Sequence, residues 1–408
     1  MEILATGSWV TRDRVRAFAT ISALVGAGML LFLWLARNGT VDWFGTPVGS
    51  DFTAFWHGGR LANEGDAVRV WDLAALNAAV EATHGVVFPT AWIYPPVVLL
   101  VFTPIASLPY LPALFVWQVL SVAAIGLILR AILPDDRALL VALASPLTAT
   151  VLAGGQNAFM TAALLGAGLV WLERRPALGG GFFGALLYKP QLALMIAPLI
   201  LFTRSWRALL GGVCTALALI VASLLLWGPE SWLAFINSLS LGQADIMEKG
   251  VTGFFKSASL FAAARQWGIP VNLAYVIQGL GALAGIWGVW QIRNAKPSVR
   301  AAVVCAGAAL STPYLFDYDM AVVGVGAAFL YADASRDGFL SYEKSALAFI
   351  WAVPWVARSA AQLLALPLSP VTMILLFWLA IRRARSGHGH PTVDVDGLPG
   401  DVTGFPAR

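Results

Sequence analysis

Long apolar stretches separated by short basic clusters set the pattern of this chain. A helix crossing the hydrocarbon layer needs about 20 mostly apolar residues. Runs that meet or approach that length are Ala17–Ala36, Leu111–Leu133, Leu139–Ala153, Ala158–Leu172, Ala208–Trp227, Val271–Ile292, Ala301–Leu315, Met320–Tyr331, Ala346–Leu366 and Pro370–Ile381. A further run, from Ala177 to Phe202, is interrupted by Tyr188-Lys189-Pro190-Gln191. The first run follows Arg12, Arg14 and Arg16 and lacks a small-residue cleavage site, so it reads as a crossing and not as a removed signal peptide.

Lys and Arg collect in cytoplasmic loops, so their distribution orients the crossings. With the N-terminus inside, 18 of the 26 basic residues fall in cytoplasmic segments, leaving Arg37, Arg60, Arg69, Lys189, Lys249, Lys256, Arg265 and Arg358 elsewhere. Arg174 and Arg175 then share a side with Arg204 and Arg207, so the chain between them crosses twice or not at all. Each half of that run has about 12 residues and climbs only about 18 Å at 1.5 Å per residue. Lys189 is therefore expected at the tip of a hairpin that stops short of the outer surface. Tyr94-Pro95-Pro96 and the short run Val97–Leu108 are read as a re-entrant or interfacial helix on the outer face, with the prolines at its start. The expected architecture is an all-α integral membrane bundle of about 12 crossings over residues 1–385, with both termini cytoplasmic.

Two outer loops are expected, about 38–110 and about 228–270. In the first, Phe52, Phe55, Trp56 and Gly59 form a one-faced stripe, and Asp72 stands as a helix N-cap before Leu73, Leu76 and Val80. Both stretches are expected to lie along the membrane interface. The tail Ser386–Arg408 is Gly/Pro-rich and polar and is expected to be disordered.

Composition removes the soluble alternatives. Hydrophobic residues make up 59% and charged residues 12%, and the mean hydropathy is +0.76. A water-soluble domain carries about 25% charge. The net charge of +4 lies in short clusters, which speaks for membrane orientation and against a nucleic-acid surface. Cys214 and Cys305 each sit in an apolar run and are expected as buried, reduced thiols. No nucleotide-binding loop, zinc helix, nucleophile elbow or cysteine cluster occurs, and His388-Gly-His390 is too isolated to suggest a metal.

On this map the polar outliers gather on the outer side: Asp51, Gln156 and Asn157, Lys189 and Gln191, and Asp317-Tyr318-Asp319. An intramembrane Lys costs about 2.5–3.5 kcal/mol on insertion scales and usually marks a functional site. Pro190 frees backbone groups there that only a lined cavity can satisfy. Snorkelling of Lys189 is the bland alternative. Asp51 is a candidate base, or an N-cap. Asp317 and Asp319 could equally cap the next helix, Gln156 and Asn157 could simply satisfy a tight turn, Tyr94 could belong to the aromatic belt, and Arg60 could bind lipid headgroups.

One carboxylate base and one buried cation suit sugar transfer from a polyprenyl-phosphate sugar. The phosphate leaves without a general acid if a cation meets its growing charge, and the carboxylate takes the acceptor's proton. The donor's lipid tail requires a site open to the bilayer. A secondary transporter or lipid flippase is the alternative, although paired broken helices, usual in transporters, are not evident.

The motifs Asp51-Phe52-x-x-Phe55-Trp56-x-x-Gly59-Arg60, Tyr94-Pro95-Pro96, Gly155-Gln156-Asn157, Tyr188-Lys189-Pro190-Gln191 and Pro313-Tyr314-x-x-x-Tyr318-Asp319 together resemble family 87 glycosyltransferases. These are polyprenol-phosphate-mannose-dependent α-(1→2)-mannosyltransferases of the GT-C membrane class, and the resemblance spans about residues 15–385. It implies the GT-C fold, a polyprenyl-phosphate sugar donor, a glycolipid or envelope-glycan acceptor, inverting transfer on the periplasmic face of the plasma membrane, and no nucleotide sugar. By match to the motifs, Asp51 would be the catalytic base and Lys189 would contact the donor phosphate. Arg60, Tyr94, Gln156, Asn157, Gln191, Tyr318 and Asp319 would line the substrate site. No cofactor or metal is implied.

Overall fold

A computed structural model describes residues 1–386. The expected disordered tail falls on 387–408, outside the described residues, except Ser386, which ends the last helix. Among the described residues the chain is all-helical, with isolated bridges but no strands. Four helices are long and apolar enough to cross a membrane: Arg12–Leu35, Tyr110–Ile132, the long helix starting at Trp206, and Val271–Gln291. Two bent pairs add up to two more. They are Asp136–Leu143 with Pro146–Gly154, bent by 53°, and Glu343–Trp355 with Ala357–Leu364, bent by 66°. Ala158–Trp171 and Pro297–Ser311 have 14 and 15 residues. At 1.5 Å per residue these reach only about 22 Å of a hydrocarbon layer of about 30 Å. Helix length therefore supports four to six crossings, and the expected twelve is not reached on that measure.

The interrupted run folds as its breaks dictate. Pro176–Ala185 and Ile196–Thr203 are helical, and between them lie two short 3₁₀ turns that meet at Lys189, whose backbone (φ −139°, ψ 61°) leaves the helical region. Pro190 opens the second turn, where its missing N–H is harmless. The Pro176–Ala185 half packs closely on the helix starting at Trp206. Gly180 and Gly184 face the backbone of Ala208 and Gly212, the close approach that small residues permit.

Three expectations about the loops change. The stretch Phe52–Asn63 presents no free apolar face: ten of its residues are buried, from Phe52 to Ala62, with Arg60 and Asn63 left exposed. Its stripe packs on the Leu99–Ile105 helix, with Phe55 and Phe102 stacked at 4.5 Å. The remaining faces carry Thr53, Ala54, His57 and Gly58, small or neutral enough to be covered as well. The Pro96–Ile105 segment is likewise short and lies inside this aromatic cluster. The second outer loop begins later than expected, because the helix resumes after Gly228-Pro229 and runs to Leu241. Asp72 does cap Leu73–His84, accepting from the N–H of Ala74 at 2.9 Å and Ala75 at 3.2 Å.

Among the described residues three apolar clusters result, the smallest around Phe261, Ala264 and Ala274. Of the larger two, one fills the helical bundle, from Ile125 to Ile381. The other is the aromatic core of the first outer loop, from Val48 to Trp117. At the end of the bundle read as cytoplasmic, buried Arg383 joins Asp333 at 2.6 Å and Glu343 at 2.7 Å, with Ser298 completing the network at 2.6 Å from Asp333. Cys305 is buried and free, whereas Cys214 is free but exposed on the outward face of its helix.

Candidate active site

The turn Gly154-Gly155-Gln156-Asn157 organises the site. Gly155 adopts the left-handed conformation (φ 65°, ψ 35°), and a methyl group there would stand 2.7 Å from Phe52 Cβ. Glycine is needed for both reasons. Trp117 Nε1 donates to the Gly155 carbonyl at 3.0 Å and Gln118 Nε2 to the Leu152 carbonyl at 2.7 Å, which hold the turn against Tyr110–Ile132.

Asp51 sits on the first residue of this turn. Its N–H donates to the Gly154 carbonyl at 3.0 Å, and its carboxylate lies so close over Gly154 that a methyl group there would stand 2.8 Å from Oδ2. The capping alternative fails: Asp51 makes no side-chain bond to the start of Phe52–Asn63. Its carboxyl lies deep in the molecule yet keeps accessible surface, so it lines a recess. Burial pushes its pKa above the ordinary carboxylate value, while the Gln156 side chain and the positive charges of Lys256 and Arg358 pull it back.

At the far end of the turn lies Lys189. Its ammonium donates to Asp319 Oδ1 at 2.5 Å and to Asn157 Oδ1 at 3.1 Å, and stands 5.4 Å from the centre of the Tyr318 ring. It is 2% exposed, which excludes snorkelling. The sequence reading looked to a ligand for an anion; in the structure Asp319, part of the protein itself, supplies one. Asp319 also plays its capping part, Oδ2 accepting from the Phe316 N–H at 3.2 Å.

Asp51 and Lys189 thus flank one four-residue turn. Three peptide links separate Gly154 from Asn157, at most about 11 Å. Tyr94, Tyr314 and Tyr318 stand around them, each deep in the molecule and each with residual accessibility. Burial raises all three hydroxyls, so they remain protonated donors. Tyr94 is not a belt aromatic, since its ring packs 5.4 Å from Phe55 and 5.7 Å from Trp92. Tyr188 donates to or accepts from Thr161 Oγ1 at 2.5 Å.

Three expected residues lie differently. Gln156 is buried with Oε1 3.3 Å from the Asn157 N–H, satisfying the turn while facing Asp51. Gln191 is half-buried without a side-chain hydrogen bond to the described residues. Arg60 is outside the recess. It lines a separate cavity of about 400 Å³ between Phe52–Asn63 and Leu73–His84, over Trp56 at 5.6 Å and near Glu64 at 3.8 Å.

The structure adds two cations that no motif marked. Arg358 makes a fork on Asp317 Oδ2, at 2.7 Å from Nε and 2.6 Å from Nη2. Lys256 is exposed, with no carboxylate within 4 Å among the described residues. It is carried toward Asp51 because its segment is strapped to the Tyr314–Asp319 turn, the Ala258 N–H donating to the Leu315 carbonyl at 2.7 Å. The only hint in the sequence was that both belong to the eight basic residues outside the cytoplasmic clusters. Among the described residues no group of three or more His, Cys, Asp or Glu is placed to hold a metal.

The family model for glycosyltransferase family 87 matches residues 92–313, more than half of the chain. Tyr94, the Gly154–Asn157 turn and Lys189 fall inside that span, while Asp51 and Asp319 lie outside it. No curated protein and no solved structure matches the chain.

Proposed function

The chain belongs to glycosyltransferase family 87, and we propose that it transfers a sugar, mannose in the first instance, from a polyprenyl phosphate to a lipid-linked or envelope-glycan acceptor. The family and the apolar helices make it a membrane glycosyltransferase, which sets aside the transporter and flippase reading. The basic clusters support cytoplasmic termini in the plasma membrane and a site facing the periplasm.

The observation that carries the mechanism is Asp51, a carboxylate held on Gly154 in a recess lined by protonated tyrosines and faced by Lys256 and Arg358. In the proposed step the acceptor hydroxyl oxygen forms a bond to the anomeric carbon and its proton passes to Asp51. The bond from that carbon to the phosphate oxygen breaks, with inversion, and the electron pair leaves on the polyprenyl phosphate. Lys256 and Arg358 counter the burial of Asp51 and help keep it ionised as the base, while donors on the opposite wall are left to meet the charge that develops on the phosphate. A raised carboxylate pKa suits a base, since proton transfer is most efficient when the pKa nears the working pH.

The test is transfer by purified protein in lipid nanodiscs, with polyprenyl-phosphate mannose as donor and an envelope glycolipid extract as acceptor. Wild type is expected to extend an acceptor lipid. Asp51→Asn is expected to lose at least about 10²-fold in kcat with unchanged thermal unfolding. Wild-type rates from that variant would remove Asp51 as the base, and transfer from a nucleotide sugar alone would remove the donor class.

A further inference from the structure

Asn157 holds an unexplained donor. It is 1% exposed, its Oδ1 accepts from Lys189 Nζ at 3.1 Å, and its Nδ2 has no hydrogen-bond partner. The amide orientation is not arbitrary, because an ammonium has only donors and must face the oxygen. Leaving a buried N–H₂ unpaired costs about 1–3 kcal/mol, and native structures rarely tolerate this without a reason. Lys189 is in turn paired with Asp319, so the two charges offset each other inside the protein.

Resting on the glycosyltransferase reading, we infer that Asn157 Nδ2 donates to an oxygen of the donor's leaving phosphate, and that Lys189 with Asp319 is a neutral pair whose task is to aim it. Inverting displacement needs the base and the leaving group on opposite faces of one sugar ring. Asp51 and Asn157 stand at opposite ends of the Gly154–Asn157 turn, whose span is at most about 11 Å, so both lie within reach of one bound sugar phosphate. The Tyr94 hydroxyl is the protein group that this amide faces, near enough to feel it but making no hydrogen bond to Nδ2. Lys189 is then a positioning residue and not the cation that meets the phosphate. Its buried charge serves to hold the Asn157 oxygen, as a hydroxyl or amide donor of the right reach also could.

The experiment compares steady-state kinetics of wild type, Asn157→Ala, Lys189→Met and the double variant Lys189→Gln/Asp319→Asn. Donor and acceptor are varied separately, and thermal unfolding is measured for each. Asn157→Ala is expected to lower kcat/KM for the donor by about 10²-fold, with the acceptor KM within twofold of wild type. It should also weaken thermal stabilisation by a polyprenyl phosphate added alone. Lys189→Met should lose as much activity or more. The double variant carries no charge but keeps an amide able to donate to Asn157 Oδ1, and should recover activity to within about tenfold of wild type.

An unchanged donor kcat/KM in folded Asn157→Ala overturns the inference. So does a folded double variant as inactive as Lys189→Met, which would make the Lys189 charge itself the phosphate partner. If wild type takes no sugar from any polyprenyl phosphate, the functional reading fails and this inference with it. If wild type does, either result above removes the inference alone.

Discussion

Lys189 and Asp319, 130 positions apart, meet at 2.5 Å with neither side chain more than 2% exposed. The contact ties the tip of the broken hairpin to the turn that follows Pro297–Ser311. Removing one partner strands the other charge in a site without water. Lys189→Met is therefore expected to destabilise the protein by about 3–5 kcal/mol, whereas Lys189→Met/Asp319→Leu recovers most of that loss. Thermal unfolding in detergent reads the difference. A single variant as stable as wild type would show that the pair contributes nothing to the fold.

Asp51 gives a pH dependence with a definite sign. A base works as the carboxylate, and burial raises its pKa. The acid limb of kcat/KM should therefore have its midpoint above the ordinary carboxylate value of about 4. Lys256 lowers the Asp51 pKa by its charge, so Lys256→Met should move that limb to higher pH and slow transfer at neutral pH. A limb that stays in place would mean that Lys256 does not reach the site.

Gly154 tests the placement of the carboxylate without altering it chemically. A methyl group at this position meets Asp51 Oδ2 at 2.8 Å, while its other near neighbours lie at 3.6 Å or beyond. Gly154→Ala should displace the Asp51 carboxylate and cost at least about 10²-fold in kcat, as small misplacements at a reacting centre do. Thermal unfolding should change little, because alanine suits the end of a helix. Wild-type kcat in this variant would argue against Asp51 acting from its present position.

The break at Lys189-Pro190 was legible in the sequence because it is locally improbable, whereas Asp51, ordinary before an amphipathic run, stood out only by its place on the outer side and in the family motif. An ammonium inside an apolar run and a proline in mid-helix need no tertiary information to be noticed. What Lys189 does was not legible, since its partner Asp319 is brought to it only by the fold, and the sequence reading looked to a ligand for the missing anion. Arg358 and Lys256 were missed for a related reason. Each lies in an ordinary segment and acquires a role only when the chain turns back over the Gly154–Asn157 turn. The Phe52–Asn63 helix was placed at the interface because it is neither long nor apolar enough to span, a criterion that says nothing about how much of it the neighbouring segments cover. Gly58 against Trp92 and Gly59 against the Phe102 backbone show that small residues bury the other faces. The bend between Asp136–Leu143 and Pro146–Gly154 had a local signal in Pro146, but the apolar run alone could not separate a straight crossing from a broken one.

The first outer loop should lose stability in mild acid, through a pair of histidines rather than through the carboxylates. His57 and His84 stack edge to face at 5.2 Å inside the aromatic core, and burial lowers both pKa values to about 4. His57 Nδ1 faces the Thr53 carbonyl at 2.8 Å, and His84 Nδ1 faces Thr40 Oγ1 at 2.8 Å while its Nε2 has no partner. Unfolded histidine titrates near 6.5. Between pH 6.5 and 4 the unfolded chain therefore binds more protons than the folded one. Stability is fully present above the unfolded value and is lost as pH falls through that window. At pH 5.5 the loss is roughly 1 kcal/mol per ring by the same linkage, and it affects the loop that carries Asp51. His57→Gln/His84→Gln should lower stability at neutral pH and flatten its dependence between pH 7.5 and 5. Proteolysis of the outer loop, followed against pH in both proteins, measures this directly. An equally steep loss in the double variant would place the acid sensitivity elsewhere, with the buried carboxylates as the next groups to titrate.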